Sequence, residues 1–248
     1  MPTDANVSRL AVHDLVSRSL REMIPVTSRF SYFSATPLVE EEVRHYLQDP
    51  IAALPPLIAS ALPPMGLVLV PFLEKTGKSE EFVVFERPPE QRQVFEARHD
   101  CEGALTLVLA TRDEEVADYH YTFYSCLAAV FGETWAGEER DRYFRLLREE
   151  LKLEVHGEVD ERSWHQKQGL LRRQSNIRKE TKLFRDYARQ SFEDTLTLFL
   201  HGVCCDIDVE TGPRQLPSRY LRKRLELLES LYPPPKGYAV FPDHARHR

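Results

Sequence analysis

The spacing of apolar residues divides the chain into two kinds of segment. Between residues 66 and 110, three runs rich in β-branched and aromatic residues, GLVLVPFLE, EFVVFERP and GALTLVLATR, are separated by turn-like stretches. This pattern is typical of strands. On both sides of these runs, apolar residues recur with a period near 3.6, which predicts helices. Most strand content is therefore expected in 66–110, and residues 113–200 are expected to be mainly helical.

These elements predict an α+β fold in which helix predominates. A small, mainly antiparallel sheet from about 66–110 should pack against N-terminal helices and long C-terminal helices. We expect a single domain over residues 1–232, with a helical part at 1–64, the sheet at 65–112 and a second helical part at 113–232. Residues 233–248 are rich in proline and predict an extended tail.

The first two strand runs predict a hairpin whose turn is KTGKSE. Gly77, Lys78 and Ser79 match the end of a phosphate-binding P-loop. That motif also requires a glycine at position 72, which is Phe72, and a helix after the loop. Since EFVVFE predicts a strand there, the turn is not expected to bind phosphate.

Composition narrows the class of protein. A hydrophobic fraction of 42% and a charged fraction of 29% are typical of a folded globular chain. No secretory signal is recognised at the N-terminus, and five prolines interrupt the longest apolar run, so we expect no membrane insertion. The four cysteines lack the spacing of a disulfide framework, which favours a cytoplasmic location. The net charge of −6 argues against attraction of nucleic acid by the whole surface.

One segment reverses the sign of this charge. Residues 164–189 contain eight basic side chains against Glu180 and Asp186, and the segment predicts one helix. Local charge governs the docking of a polyanion, so this helix is a candidate surface for a polyanion or protein partner. The alternative is an ordinary solvated face in which the bases pair with acids one turn away. The candidate contacts are Arg172, Arg173, Arg178, Lys179, Lys182 and Arg185.

The stretch HGVCCDIDVETG, residues 201–212, admits two interpretations. In the first, a helix turns into a strand at Gly202, with Cys205 and Ile207 facing inward. In the second, it holds a divalent metal, because His, Cys and Asp are metal ligands; the candidates are His201, Cys204, Asp206 and Asp208. The EF-hand template does not fit, because its required glycine falls on Thr211. Adjacent cysteines are poorly placed for an unstrained disulfide, so both are expected to be free thiols.

No complete catalytic motif is found, and the sequence does not decide whether the protein is an enzyme. His120 lies on an aromatic helix face and is expected to be a hydrogen-bonded core residue. We expect a non-enzymatic binding or regulatory protein that holds a partner or an anionic ligand, with no cofactor. The alternative is a metal-assisted hydrolase with ligands near residues 201–210.

Overall fold

The computed structural model describes residues 9–77, 80–101, 104–112, 115–172, 179–205 and 216–241. The chain divides into two compact units. Unit 1 comprises Met1–Ala52 and Leu62–Cys126, and unit 2 comprises Ala53–Ala61 and Leu127–Arg248. The boundaries expected for a single domain, 1–232, stay a prediction.

Unit 1 contains the strands. In chain order they are β1 (Leu10–Ala11), β2 (Ile24–Pro25), β3 (Phe30–Ser34), β4 (Met65–Val70), β5 (Phe72–Thr76), β6 (Glu80–Val84), β7 (Gln93–Val94), β8 (Glu96–Cys101) and β9 (Ala104–Ala110). Within the described residues they form a sheet of order β1-β6-β5-β7 and a sheet of order β2-β3-β4-β9-β8. The first sheet is antiparallel, whereas β3, β4 and β9 of the second are parallel.

All helical elements of unit 1 except the last are short. They are α1 (Val12–Ser19), α2 (Glu40–Val43), a π turn (Arg44–Gln48), α3 (Asp49–Ala52), a 3₁₀ turn (Glu90–Arg92) and the first part of α5 (Val116–Thr134). Val68 of β4 and Val108 of β9 pack into one core with Val12 and Val16 of α1. The leucines that alternate with these valines are also buried. The central strands are therefore apolar throughout, as expected where both faces of a sheet are covered.

The expected fold class is confirmed, since helix predominates and most strand residues lie in 66–110. The β5–β6 hairpin is also confirmed, with Gly77 at a φ of +67° in its turn and a strand, not a helix, after it. The run GLVLVPFLE is not one strand, however, because Pro71 separates β4 from β5, which belong to different sheets. Proline has no backbone N–H for a sheet ladder, which suits this break.

Unit 2 is helical in its described part. It contains α4 (Pro56–Ala61), the second part of α5, α6 (Gly137–Lys152), α7 (Glu161–Leu171), α8 (Lys182–Cys205) and α9 (Ser218–Leu231). Trp135 stacks on Phe192 of α8 with ring centroids 3.7 Å apart. The same indole meets Tyr143 and Phe144 of α6 edge to face, so aromatic packing joins α6 to α8.

The first part of the Pro-rich tail packs against α9. Val240 and Phe241 are buried, and the guanidinium of Arg222 lies 4.7 Å from the centroid of the Phe241 ring. Among the described helices, none has both the length and the apolar character needed to cross a membrane.

Candidate functional site

The basic segment, residues 164–189, is not one helix. The structure ends α7 at Leu171 and begins α8 at Lys182, and Arg172 follows α7 as its C-terminal cap. Thr181 stops the second helix from extending further back, because its hydroxyl accepts a hydrogen bond from the Phe184 amide at 3.2 Å. The expected continuous helix over 164–189 is therefore wrong. Arg173 and Arg178 lie outside the described residues.

The first turns of α8 place three bases on one exposed face. Lys182, Arg185 and Arg189 are three and four residues apart, and we call them the basic stripe. At about 100° per residue this spacing keeps all three on the same side of a helix. The opposite side carries Phe184 and Tyr187, which are fully buried. The stripe is thus presented to solvent by the packing of the other face, while Arg172 and Lys179 are exposed in the connection.

Local contacts leave the stripe only partly neutralised. Arg185 donates to the backbone carbonyl of Glu180 at 3.0 Å, and the Arg189 Nε donates to Glu193 at 2.7 Å. The carboxylate of Glu180 lies 3.7 Å from Arg148 instead. Among the described residues, Lys182 has no hydrogen bond or ion pair. The positive end of the helix dipole adds to the charge of these side chains.

A buried charge network holds α8 in place. Arg224 of α9 donates to Glu150 of α6 at 3.1 Å, and its Nη1 donates to Glu158 at 2.7 Å and to Ser191 of α8 at 2.8 Å. Tyr187 of α8 donates its hydroxyl to Glu158. All five side chains are buried. The helix that carries the basic stripe is therefore fixed to α6 and α9 by oriented polar contacts as well as by apolar packing.

Lys167 of α7 completes the network. Its ammonium donates to Glu158 at 3.0 Å and to the carbonyl of Gly157 at 2.8 Å, so two cations balance two carboxylates. Burial alone would raise the pKa of Glu158, but the charges of Arg224 and Lys167 and the hydrogen bonds to the carboxylate lower it to about 2. Glu158 is thus ionised at neutral pH.

Sequence reasoning missed this network, although one signal was present. Arg224 lies on the same face of α9 as Tyr220, Leu221 and Leu228, which are all buried. An arginine within an apolar helix face indicates a buried ion pair, since a buried charge requires a partner. The partners could not have been identified, because Glu150 and Glu158 are 74 and 66 residues away.

The expected helix-to-strand junction is wrong for residues 201–205, which continue α8 to Cys205. Gly202 is buried inside the helix and has no positive φ. Residues 194–203 are all buried, and a helix enclosed on every side shows no amphipathic stripe that would mark its continuation. Cys205 is half-buried instead of buried. Asp206, Ile207 and Asp208 lie outside the described residues.

The structure describes two of the four candidate metal ligands, His201 and Cys204. Within the described portion of unit 2, His201 does not belong to a cluster of three metal-ligating side chains. Cys204 and Cys205 are free thiols, as expected. The hydrogen bond with Cys204 and burial raise the pKa of the Cys205 thiol, which therefore stays protonated at neutral pH. His120, in unit 1, is confirmed as a buried, hydrogen-bonded residue, with its Nε2 2.7 Å from the carbonyl oxygen of His45.

Comparison of the chain with protein-family models, with curated proteins and with solved structures finds no match.

Proposed function

We propose that the protein is a non-enzymatic binding protein that holds an anionic partner on the basic stripe. The observation that carries the proposal is the placement of Lys182, Arg185 and Arg189 on one exposed face of a helix whose other face is buried. A rigid helix keeps three cations in register without the entropic cost of ordering a loop. Arg172 and Lys179, which are exposed in the same segment, add two further positive charges.

The spacing of the stripe suits a polyanion. Seven residues of helix rise about 10 Å, so the three cations can meet several charges of a polymer that carries one negative charge every few ångströms. The Glu193 side chain is only 14% exposed, so its pair with Arg189 offsets much of the charge at that end of the stripe, and Lys182 and Arg185 contribute most of its attraction for an anion. Binding should release counterions and should therefore depend steeply on salt.

Fluorescence polarisation with a labelled single-stranded oligonucleotide and with labelled heparin tests the proposal. We expect binding at about 0.02 M KCl and a steep loss of affinity towards about 0.2 M. The double substitution Lys182→Glu with Arg185→Glu should weaken binding by about 10-fold or more, because it replaces two attractive charges with repulsive ones.

A matched control comes from unit 1, where Arg18 and Arg21 are also exposed and three residues apart. Arg18→Glu with Arg21→Glu changes the net charge equally but should alter the affinity by less than about 3-fold. Absence of binding at low salt would show that the stripe is only a solvated helix face. Equal weakening by both double variants would show that net charge, not the stripe, controls binding.

A further inference from the structure

Unit 1 contains a cleft beside the edge of its five-stranded sheet. The cleft has a volume of about 550 Å³, within the range of ligand sites in proteins. One wall is formed by the consecutive residues 93–98, which span β7 and the start of β8. The remaining lining comes from Lys75, Glu81, Tyr121, Thr122 and Ser125. We call this feature the edge cleft.

Strand β8 is the last in the order β2-β3-β4-β9-β8 and pairs with β9 alone among the described residues. The amide of Ala110 donates to the carbonyl of Phe95 at 2.9 Å, which fixes the phase of the antiparallel ladder. Hydrogen-bonded and non-hydrogen-bonded residue pairs alternate along an antiparallel ladder. Counting from Phe95, the backbone groups of Ala97 and His99 therefore form hydrogen bonds with β9. The backbone groups of Glu96 and Asp100 are then directed to the outer edge, where a further strand would bind.

The side chains along β8 carry a charge pattern. Ala97 packs into the core beside α1, so Glu96, Arg98 and Asp100 point to the other face. Glu96 and Arg98 line the edge cleft, and Asp100 follows them with 69% of its side chain exposed. That face therefore alternates negative, positive and negative. Arg98 Nε lies 3.7 Å from the Asp100 carboxylate, so a bound strand would have to share this partly exposed ion pair.

We propose that the edge cleft binds an extended peptide, which adds to β8 as a sixth strand and directs alternate lysine, glutamate and lysine side chains to the charged face. The ligand has to be an extended peptide, because only an extended peptide presents backbone donors and acceptors at every second residue, in register with the outer edge of β8. Cross-strand pairs of opposite charge favour binding, whereas a strand whose charges match those of β8 is repelled. The pattern is symmetric, so it selects the same sequence in parallel and in antiparallel pairing.

The probe is an acetylated, amidated peptide with the order Lys-Val-Glu-Val-Lys, and the control peptide has the same residues in the order Lys-Lys-Val-Val-Glu. Calorimetric titration should give at least about 10-fold higher affinity for the alternating peptide, because only its charges share one face of a strand. Equal affinities, or no binding of either peptide, would overturn the proposal.

Amide hydrogen exchange followed by NMR tests the backbone contacts. Saturation with the alternating peptide should slow exchange at Glu96 and Asp100 and leave Ala97 and His99, which already bond to β9, nearly unchanged. Binding without protection at Glu96 and Asp100 would show attachment through side chains alone and would overturn strand addition.

A charge exchange separates lost recognition from lost folding. The variant Glu96→Lys with Asp100→Lys should lose the alternating peptide and gain affinity for Glu-Val-Glu-Val-Glu. Asp100→Lys alone, at an exposed side chain, should shift preference in the same direction if the double variant does not fold. Unchanged preference in Asp100→Lys would count against the proposal.

Discussion

The Arg224 guanidinium is fully buried, and its charge is matched by Glu150 and Glu158. Its bonds to both carboxylates and to Ser191 fix how three segments of unit 2 meet. A buried ion pair is not in general more stabilising than apolar packing of the same volume, but removing one partner leaves an uncompensated charge. We therefore expect substitution of Arg224 to lower the stability of the protein strongly.

Replacing Arg224 with leucine tests this dependence. We expect Arg224→Leu to lower the free energy of unfolding by about 3–5 kcal/mol, because Glu150 and Glu158 would stay buried without their cation. Chemical denaturation at neutral pH measures the loss. Arg145→Leu, at an exposed arginine of α6, is the control and should cost less than about 1 kcal/mol, because an exposed charge contributes little to stability. Similar losses in both variants would contradict the role of burial.

At the scale of single elements, two glycines have opposite conformational needs. Gly77 has a φ of +67° in the β5–β6 turn. Apart from its chain neighbours, no atom of the described residues lies within 4 Å of the point that a Cβ would occupy, so strain and not crowding would oppose a side chain. Gly169 lies inside α7, also with open space around it and no positive φ. Glycine is required at the first position and unfavourable at the second.

Alanine should therefore act in opposite directions at these sites. Gly77→Ala should destabilise the protein by about 1 kcal/mol, because left-handed backbone is costly for residues with a Cβ. Gly169→Ala should stabilise it by about 0.5–1 kcal/mol, because alanine has the higher helix propensity. Thermal unfolding of both variants beside the wild type measures the difference. A shift in the same direction for both would contradict the backbone argument.

Elements with an unambiguous local period were predictable, and those decided by distant contacts were not. The β5–β6 hairpin and the helical character after residue 115 follow from patterns within a few residues. The break after Leu171 was missed because the charged segment gives no apolar contrast. The end of α8 was misassigned because its surroundings, not its own sequence, bury every face. Of the candidate site, the bases were identified but their arrangement as a stripe depends on where α8 begins.

At the scale of the whole molecule, charge sets the response to pH. The chain has 39 acidic and 33 basic side chains, so acidification converts a net charge of −6 into a large positive charge. Self-repulsion then opposes the compact state. The folded protein holds the pKa of Glu158 at about 2, against an ordinary value of 4.5. A carboxylate with a depressed pKa contributes stability above its unfolded pKa and loses that contribution as the pH falls.

Glu158→Gln should reduce this dependence on acid. The wild type should lose on the order of 3 kcal/mol from this one group as the pH falls from about 5 to about 2, because the unfolded chain takes up a proton that the folded carboxylate resists. The variant should be less stable at neutral pH, since Arg224 and Lys167 lose a counter-charge, but its stability should fall less steeply over the same range. Urea denaturation at a series of pH values gives both quantities. Glu161→Gln, at a side chain that is 83% exposed, is the control and should keep the wild-type slope. Identical slopes for the two variants would show that Glu158 does not govern acid unfolding.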